Sequence, residues 1–149
     1  MQTNWLIVAD EAVAHIFQWQ GASRRLEEVA TLTHPAAHAQ EAELRRDAQG
    51  RMSGHGARPM ASVTSSAGLD LVHGEAVEFA RRVAERLGRA QTEGQFQQLT
   101  IAAAPRFLGL LRQQLAPQVT ALVKEEVDKD LVHEDREDLA RRFLGEAKR

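Results

Sequence analysis

Residues 5–33 read WLIVADEAVAHIFQWQGASRRLEEVATLT, and their pattern decides the fold. Trp5–Ala9 is apolar at every position, which suits a central strand covered on both faces. Asp10 and Glu11 supply a short polar turn. Ala12–Gln20 then alternates, with Val13, His15, Phe17 and Trp19 on one face and Ala14, Ile16 and Gln18 on the other. That is a second strand, paired to the first as a hairpin. Gly21–Arg24 turn the chain again. Leu26–Thr33 forms a third strand, ended by Pro35, which cannot continue a ladder.

Outward from this meander the period changes. Residues 48–72 are rich in Gly, Ser and Arg and read as a flexible loop of about 25 residues, a length that compact domains keep chiefly for function or as disorder. From about His73 the spacing is helical: Ala76, Val77, Phe79, Ala80, Val83, Ala84 and Leu87 make one apolar stripe. Phe96–Ala104 reads as a fourth, buried strand. Pro105 suits the first position of a second helix, whose stripe is Phe107, Leu108, Leu111 and Leu115. Val119–Val127 follows Pro117 and, being β-branched at its start, is expected as an edge strand. Leu139, Ala140, Phe143, Leu144 and Ala147 give a last helix, acidic at its start and basic at its end.

The order β-β-β-α-β-α-β-α predicts one α/β domain over residues 1–149. Its mixed five-stranded sheet has the order 3-2-1-4-5, with strand 2 antiparallel and helices on both faces. This is a ribonuclease H-like, three-layer architecture.

Composition narrows the function classes. The 149 residues carry a net charge of −2, with 43% hydrophobic and 27% charged side chains, as in an ordinary globular protein. No apolar run approaches about 18 residues, so no membrane span is expected. The first residues lack a basic region before their short apolar stretch, and the cytoplasm is the expected compartment. With no cysteine, disulfides, thiolate metal sites and thiol nucleophiles are excluded. Charge is uneven, however. Arg45, Arg46, Arg51 and Arg58 against Asp47 leave residues 44–60 at +3.

A sheet of this order raises metal-dependent hydrolysis, which needs clustered carboxylates to hold two cations. Asp10 ends the first strand where one ligand would stand. The fourth strand ends in Ala102, Ala103, Ala104 and Pro105 instead, and Asp135 and Asp138 lie on the distant last helix. Asp10 therefore reads as a turn residue, with metal hydrolysis kept as the weaker alternative. His34, His38 and Glu41 have helical metal-ligand spacing, but Pro35 interrupts them and favours a hydrogen-bonded turn histidine. Ser62, Ser65 and Ser66 have no nucleophile-elbow context. Gly54-His55-Gly56 is not a phosphate loop. His15, Trp5 and Trp19 read as packed residues on strands, and His73 and His133 as residues at helix starts. No cofactor and no metal ligand set is assigned. The four arginines remain as candidates to follow a phosphate backbone.

Several patterns in order along the chain resemble the bacterial host-attachment protein family. They are His34-Pro35; Glu43-Leu44 with Asp47, Gly50 and Arg51; Glu75 through Phe79-Ala80; Ala104-Pro105 with Leu108-Gly109 and Leu111-Arg112; and Lys129-Asp130-Leu131. The chain is similar, more distantly, to the middle domain of archaeal and eukaryotic peptide-chain release factors and their bacterial relatives, which is also ribonuclease H-like. In release factors the connection from strand three to the long helix carries Gly-Gly-Gln, which promotes peptidyl-tRNA hydrolysis. No Gly-Gly-Gln occurs here, so the resemblance does not carry the hydrolase activity over.

What the resemblance implies is a binding protein rather than an enzyme. Arg45, Arg46, Arg51 and Arg58 would contact ribosomal RNA or tRNA. The alternative is a protein-interaction or regulatory module that orders on a protein partner and affects attachment indirectly.

Overall fold

The structure, a computed structural model, describes residues 2–34 and 58–145, of which 58–70 are described as backbone alone. Three strands open the chain: β1 (Thr3–Ala9), β2 (Val13–Gln20) and β3 (Glu27–Thr33). A long helix α1 (Arg58–Thr92) leads to β4 (Gln98–Ala103) and α2 (Pro105–Gln114). A single turn, α3 (Pro117–Thr120), precedes β5 (Val123–Val127), and α4 (Arg136–Leu144) closes the domain.

The sheet order is β3-β2-β1-β4-β5, as expected from the sequence. β2 runs antiparallel to both β1 and β3, while β1–β4 and β4–β5 are parallel. The all-apolar reading of β1 follows from its central place. Trp5, Ile7 and Ala9 join Phe79, Val83, Leu87, Phe107 and Leu111 of the α1/α2 layer in one core cluster. Leu6 and Val8 join Phe17, Leu131, Val132 and Leu139 on the α4 side. Side chains alternate across a strand, so covering both faces demands an uninterrupted apolar run. Each such fully buried large side chain contributes about 1.5–3 kcal/mol relative to exposure.

Two expectations need correction. Helical structure does not begin near His73: α1 starts at Arg58, so the segment expected as loop over 58–72 is helix, and residues 48–57 lie outside the described residues. Half-buried Val72 extends the stripe of Ala76, Ala80, Val83 and Leu87 backwards at helical spacing, and Pro59 falls in the first turn, where a missing N–H is tolerated. Growing a helix from a packed segment avoids a second costly nucleation. The span 119–127 is also not one strand. Pro117 starts the turn of α3, which buries Val119 completely, and β5 begins only at Val123.

Candidate functional site at the carboxyl end of the sheet

β1, β3 and β4 run in the same direction, so their carboxyl ends share one edge of the sheet. From these ends leave the Asp10–Glu11 turn, His34, and the Ala104-Pro105-Arg106 start of α2. Ligands of open α/β sheets commonly bind at this edge, where neighbouring strands send their connections in opposite directions. Here β1 turns back into β2 while β4 continues into α2.

Asp10 is committed to the backbone. Its Oδ1 accepts the N–H groups of Ala12 at 2.8 Å and Val13 at 2.9 Å, while its own N–H reaches the Val13 carbonyl at 2.9 Å. The other carboxylates considered for a two-metal site are engaged elsewhere. Asp135 caps α4 by accepting from the Asp138 N–H at 2.8 Å, and Asp138 pairs with Arg141. Among the described residues no group of three or more His, Asp or Glu side chains could hold a metal ion.

His34 is fixed at the exit of β3. It is 8% exposed, its N–H donates to the Ala12 carbonyl at 2.9 Å, and its ring stacks on Phe79 at 5.3 Å with an interplanar angle of 8°. Nδ1 lies 3.4 Å from the Glu11 carbonyl oxygen; a carbonyl only accepts, so Nδ1 carries the proton. Phe79 in turn packs on Phe107 of α2, with ring centroids 5.7 Å apart. The Arg82 guanidinium sits over the Phe79 ring at 5.6 Å and donates to the Thr33 carbonyl at 3.2 Å. One turn earlier, the hydrogen bond from Arg81 holds the Glu78 carboxyl below the usual glutamate range; burial opposes it, and the charges of Arg81, Arg82 and His34 each add a lesser lowering effect.

Across the same edge, Arg106 lies 3.8 Å from the Glu11 carboxylate through Nε and donates through Nη2 to His73 Nδ1 at 3.2 Å. The strand end, the β1–β2 turn, α1 and α2 are thus joined by Glu11, His34, His73, Phe79, Arg82 and Arg106. His34 stands as the held turn histidine read from the sequence, whereas His73, read as a helix-start residue, lies well inside α1. Glu11, Arg82 and Arg106 were missed because their partners lie on other elements.

The other residues singled out from sequence scatter. Glu75 lies on α1, two residues after His73. Leu108 is buried in α2, the adjoining Gly109 has open space where a side chain would stand, and Arg112 ties α2 to β5 through Glu126 at 2.6 Å. Asp130 accepts from the Val132 N–H at 3.2 Å, which folds Leu131 and Val132 into the α4-side core. Asp47, Gly50, Arg45, Arg46 and Arg51 lie outside the described residues. Arg58 is the first residue of α1.

His15, expected to pack, is half-buried on β2, where its Nδ1 meets Thr31 Oγ1 at 3.1 Å. Trp5 is in the core at 1% exposure, while Trp19 packs at the margin of the α4-side cluster.

Sheet order, strand directions and helices on both faces define an α/β domain of ribonuclease H-like topology, with aromatic and cationic side chains at the carboxyl edge. The chain belongs to the family described as proteins required for attachment to host cells, whose sequence model matches residues 5–143. Among solved structures it is similar to the archaeal translation termination factor aRF1, with a TM-score of 0.54 and 13% identity. That alignment covers 97% of this chain and 35% of the termination factor, so the chain spans about a third of its length. At this identity the likeness is one of fold. None of the curated proteins compared matches the chain.

Proposed function

We propose that this chain is a non-enzymatic, cytoplasmic binding protein whose arginine-bearing segment contacts ribosomal RNA or tRNA. One observation carries the reading. The segment with Arg45, Arg46 and Arg51 leaves β3 at His34 and rejoins the described fold at Arg58, the start of α1. It therefore departs from the carboxyl edge of the sheet, beside Arg82 and Arg106. The likeness in fold to a translation termination factor supports a ribosomal setting. The commitment of Asp10 to its own turn, and the alanines that end β4, favour binding over metal-assisted hydrolysis.

Co-sedimentation with ribosomes, titrated with salt, tests the proposal. Four phosphate contacts at about 0.7–0.9 counterions each weaken binding by about 50- to 150-fold between about 50 and 200 mM salt. Replacing Arg45, Arg46, Arg51 and Arg58 with alanine is expected to remove most of the binding and flatten that salt dependence. Binding that four alanines leave unchanged refutes the reading.

A second reading, a module that orders on a protein partner and acts on attachment indirectly, is favoured by Leu71. It is the large hydrophobic residue found exposed among the described side chains, at 58%. Salt-tolerant capture of one protein partner, lost in Leu71→Asp, is the outcome that this reading expects.

A further inference from the structure

The described side chains of α1 begin at Leu71, and the first buried one among them is Ala76. The helix nevertheless begins at Arg58, about 27 Å further along its axis at 1.5 Å per residue. Gly74 lies at this boundary. A Cβ built there meets nothing within 4 Å, so packing does not require a glycine. Glycine inside a helix lowers its stiffness and stability relative to alanine.

Beside Gly74, His73 Nδ1 is 3.2 Å from Arg106 Nη2, and Arg106 is paired in turn with Glu11. A guanidinium has donors only, so His73 Nδ1 must present its lone pair. The contact therefore requires an imidazole without a proton at Nδ1. An imidazolium has N–H at both nitrogens and repels the arginine.

We infer that Gly74 is a hinge in α1 and that the Glu11–Arg106–His73 contact is a proton-sensitive latch holding the helix upstream of it. With neutral His73 the latch ties α1 to α2 and the β1–β2 turn. Protonation opens it, and the helix before Gly74 changes its angle to the sheet. Among the described residues, the charged groups around His73 are Arg106 from α2, Glu11 from the β1–β2 turn behind it, and Glu75 on α1. Asp70 lies one helical turn earlier in the chain. Glu11 holds Arg106 in place in either state, so release depends on the histidine and not on loss of the ion pair.

The absence of native cysteine allows clean spin labelling at Ser65→Cys on α1 and Gln118→Cys on α3 of the full chain. Nine residues from Gly74 to Ser65 make a lever of about 13.5 Å, so a tilt of about 20° moves the label by about 5 Å, within reach of pulsed electron–electron distance measurement. A shift or broadening of that order is expected on going from about pH 8 to about pH 5.5, either side of the imidazole range.

His73→Ala and Arg106→Ala should show the acidic distribution at both pH values. His73→Gln keeps a neutral acceptor and should show the alkaline distribution at both, which separates this histidine from the other five. Gly74→Ala should reduce the pH response. Identical distributions at the two pH values in the unmodified pair, or a full pH response surviving in His73→Gln, overturn the inference.

Discussion

Trp5→Phe is a substitution whose small effect on stability would be informative. Trp5 is 1% exposed, its ring lies 4.9 Å from that of Phe96, and its Nε1 is buried without a hydrogen-bond partner among the described residues. A donor left unsatisfied in the interior costs about 1–3 kcal/mol. Phenylalanine removes the donor and keeps an aromatic ring against Phe96. Against this gain, about 40 Å² of buried apolar area is lost, worth about 1 kcal/mol. A residual cavity of about 35 Å³ costs about 1 kcal/mol more if the site does not collapse.

The opposing effects largely offset each other, and a net loss between about −2 and +1 kcal/mol is expected. Trp5→Leu also removes the donor but forfeits the aromatic pairing, worth about 0.5–1.5 kcal/mol, and leaves a larger void. It should be clearly the less stable of the two. Urea unfolding followed by circular dichroism measures both, and Trp19 remains as an independent fluorescent reporter. A loss above about 2.5 kcal/mol for Trp5→Phe would show that the indole N–H is satisfied in the folded protein, and the cancellation argument would fail.

Substitutions at two further positions test the carboxyl edge. Glu78 titrates below the 4.5 of an ordinary glutamate when folded, chiefly through its hydrogen bond from Arg81, so its contribution is present above about pH 4.5 and is lost as the pH falls through the lower folded value. Glu78→Gln should therefore narrow the gap between thermal midpoints at about pH 6 and about pH 3; an unchanged gap counts against the pairing. Asp10→Ala removes the acceptor for the Ala12 and Val13 N–H groups and should destabilise by about 1.5–3 kcal/mol in urea, whereas Asp10→Asn, which keeps an acceptor oxygen, should lose less. Equal losses for the two would mean that the turn does not rest on these hydrogen bonds.

The frame was readable because its signals are local. The unbroken run Trp5–Ala9 says that both faces of a strand are covered, and the alternation after it says where the chain doubles back. Small residues at Ala102–Ala104 followed by Pro105 mark a buried strand passing directly into a helix. The misreadings have equally physical causes. Ser62, Ser65, Ser66 and Gly68 lower helix propensity across the first half of α1, yet a helix already nucleated by a packed stripe extends through poor formers. At Val119, β-branching pointed to a strand, but Pro117 favoured the start of a helical turn and burial of the side chain fixed it. His34 was legible as a held turn histidine, whereas its stack on Phe79 was not. That contact joins positions 45 residues apart, and only the crossing of α1 over the sheet edge brings them together.

Among the described residues, the carboxyl edge of this sheet gathers no cluster of carboxylates. In a metal-dependent nuclease the ends of the central strands must converge carboxylates, because two cations stabilise the attacking and leaving oxygens. Here the end of β1 spends its aspartate on a turn, and the end of β4 has side chains too small to reach anything. What backs the edge instead is a buried row of rings, His34 stacked on Phe79 and Phe79 tilted against Phe107, flanked by guanidinium groups that are already hydrogen-bonded. Arg82 bonds the Thr33 carbonyl at the end of β3, and Arg106 bonds His73 of α1. They anchor the strand end from which the arginine-bearing segment departs and the helix by which the chain returns.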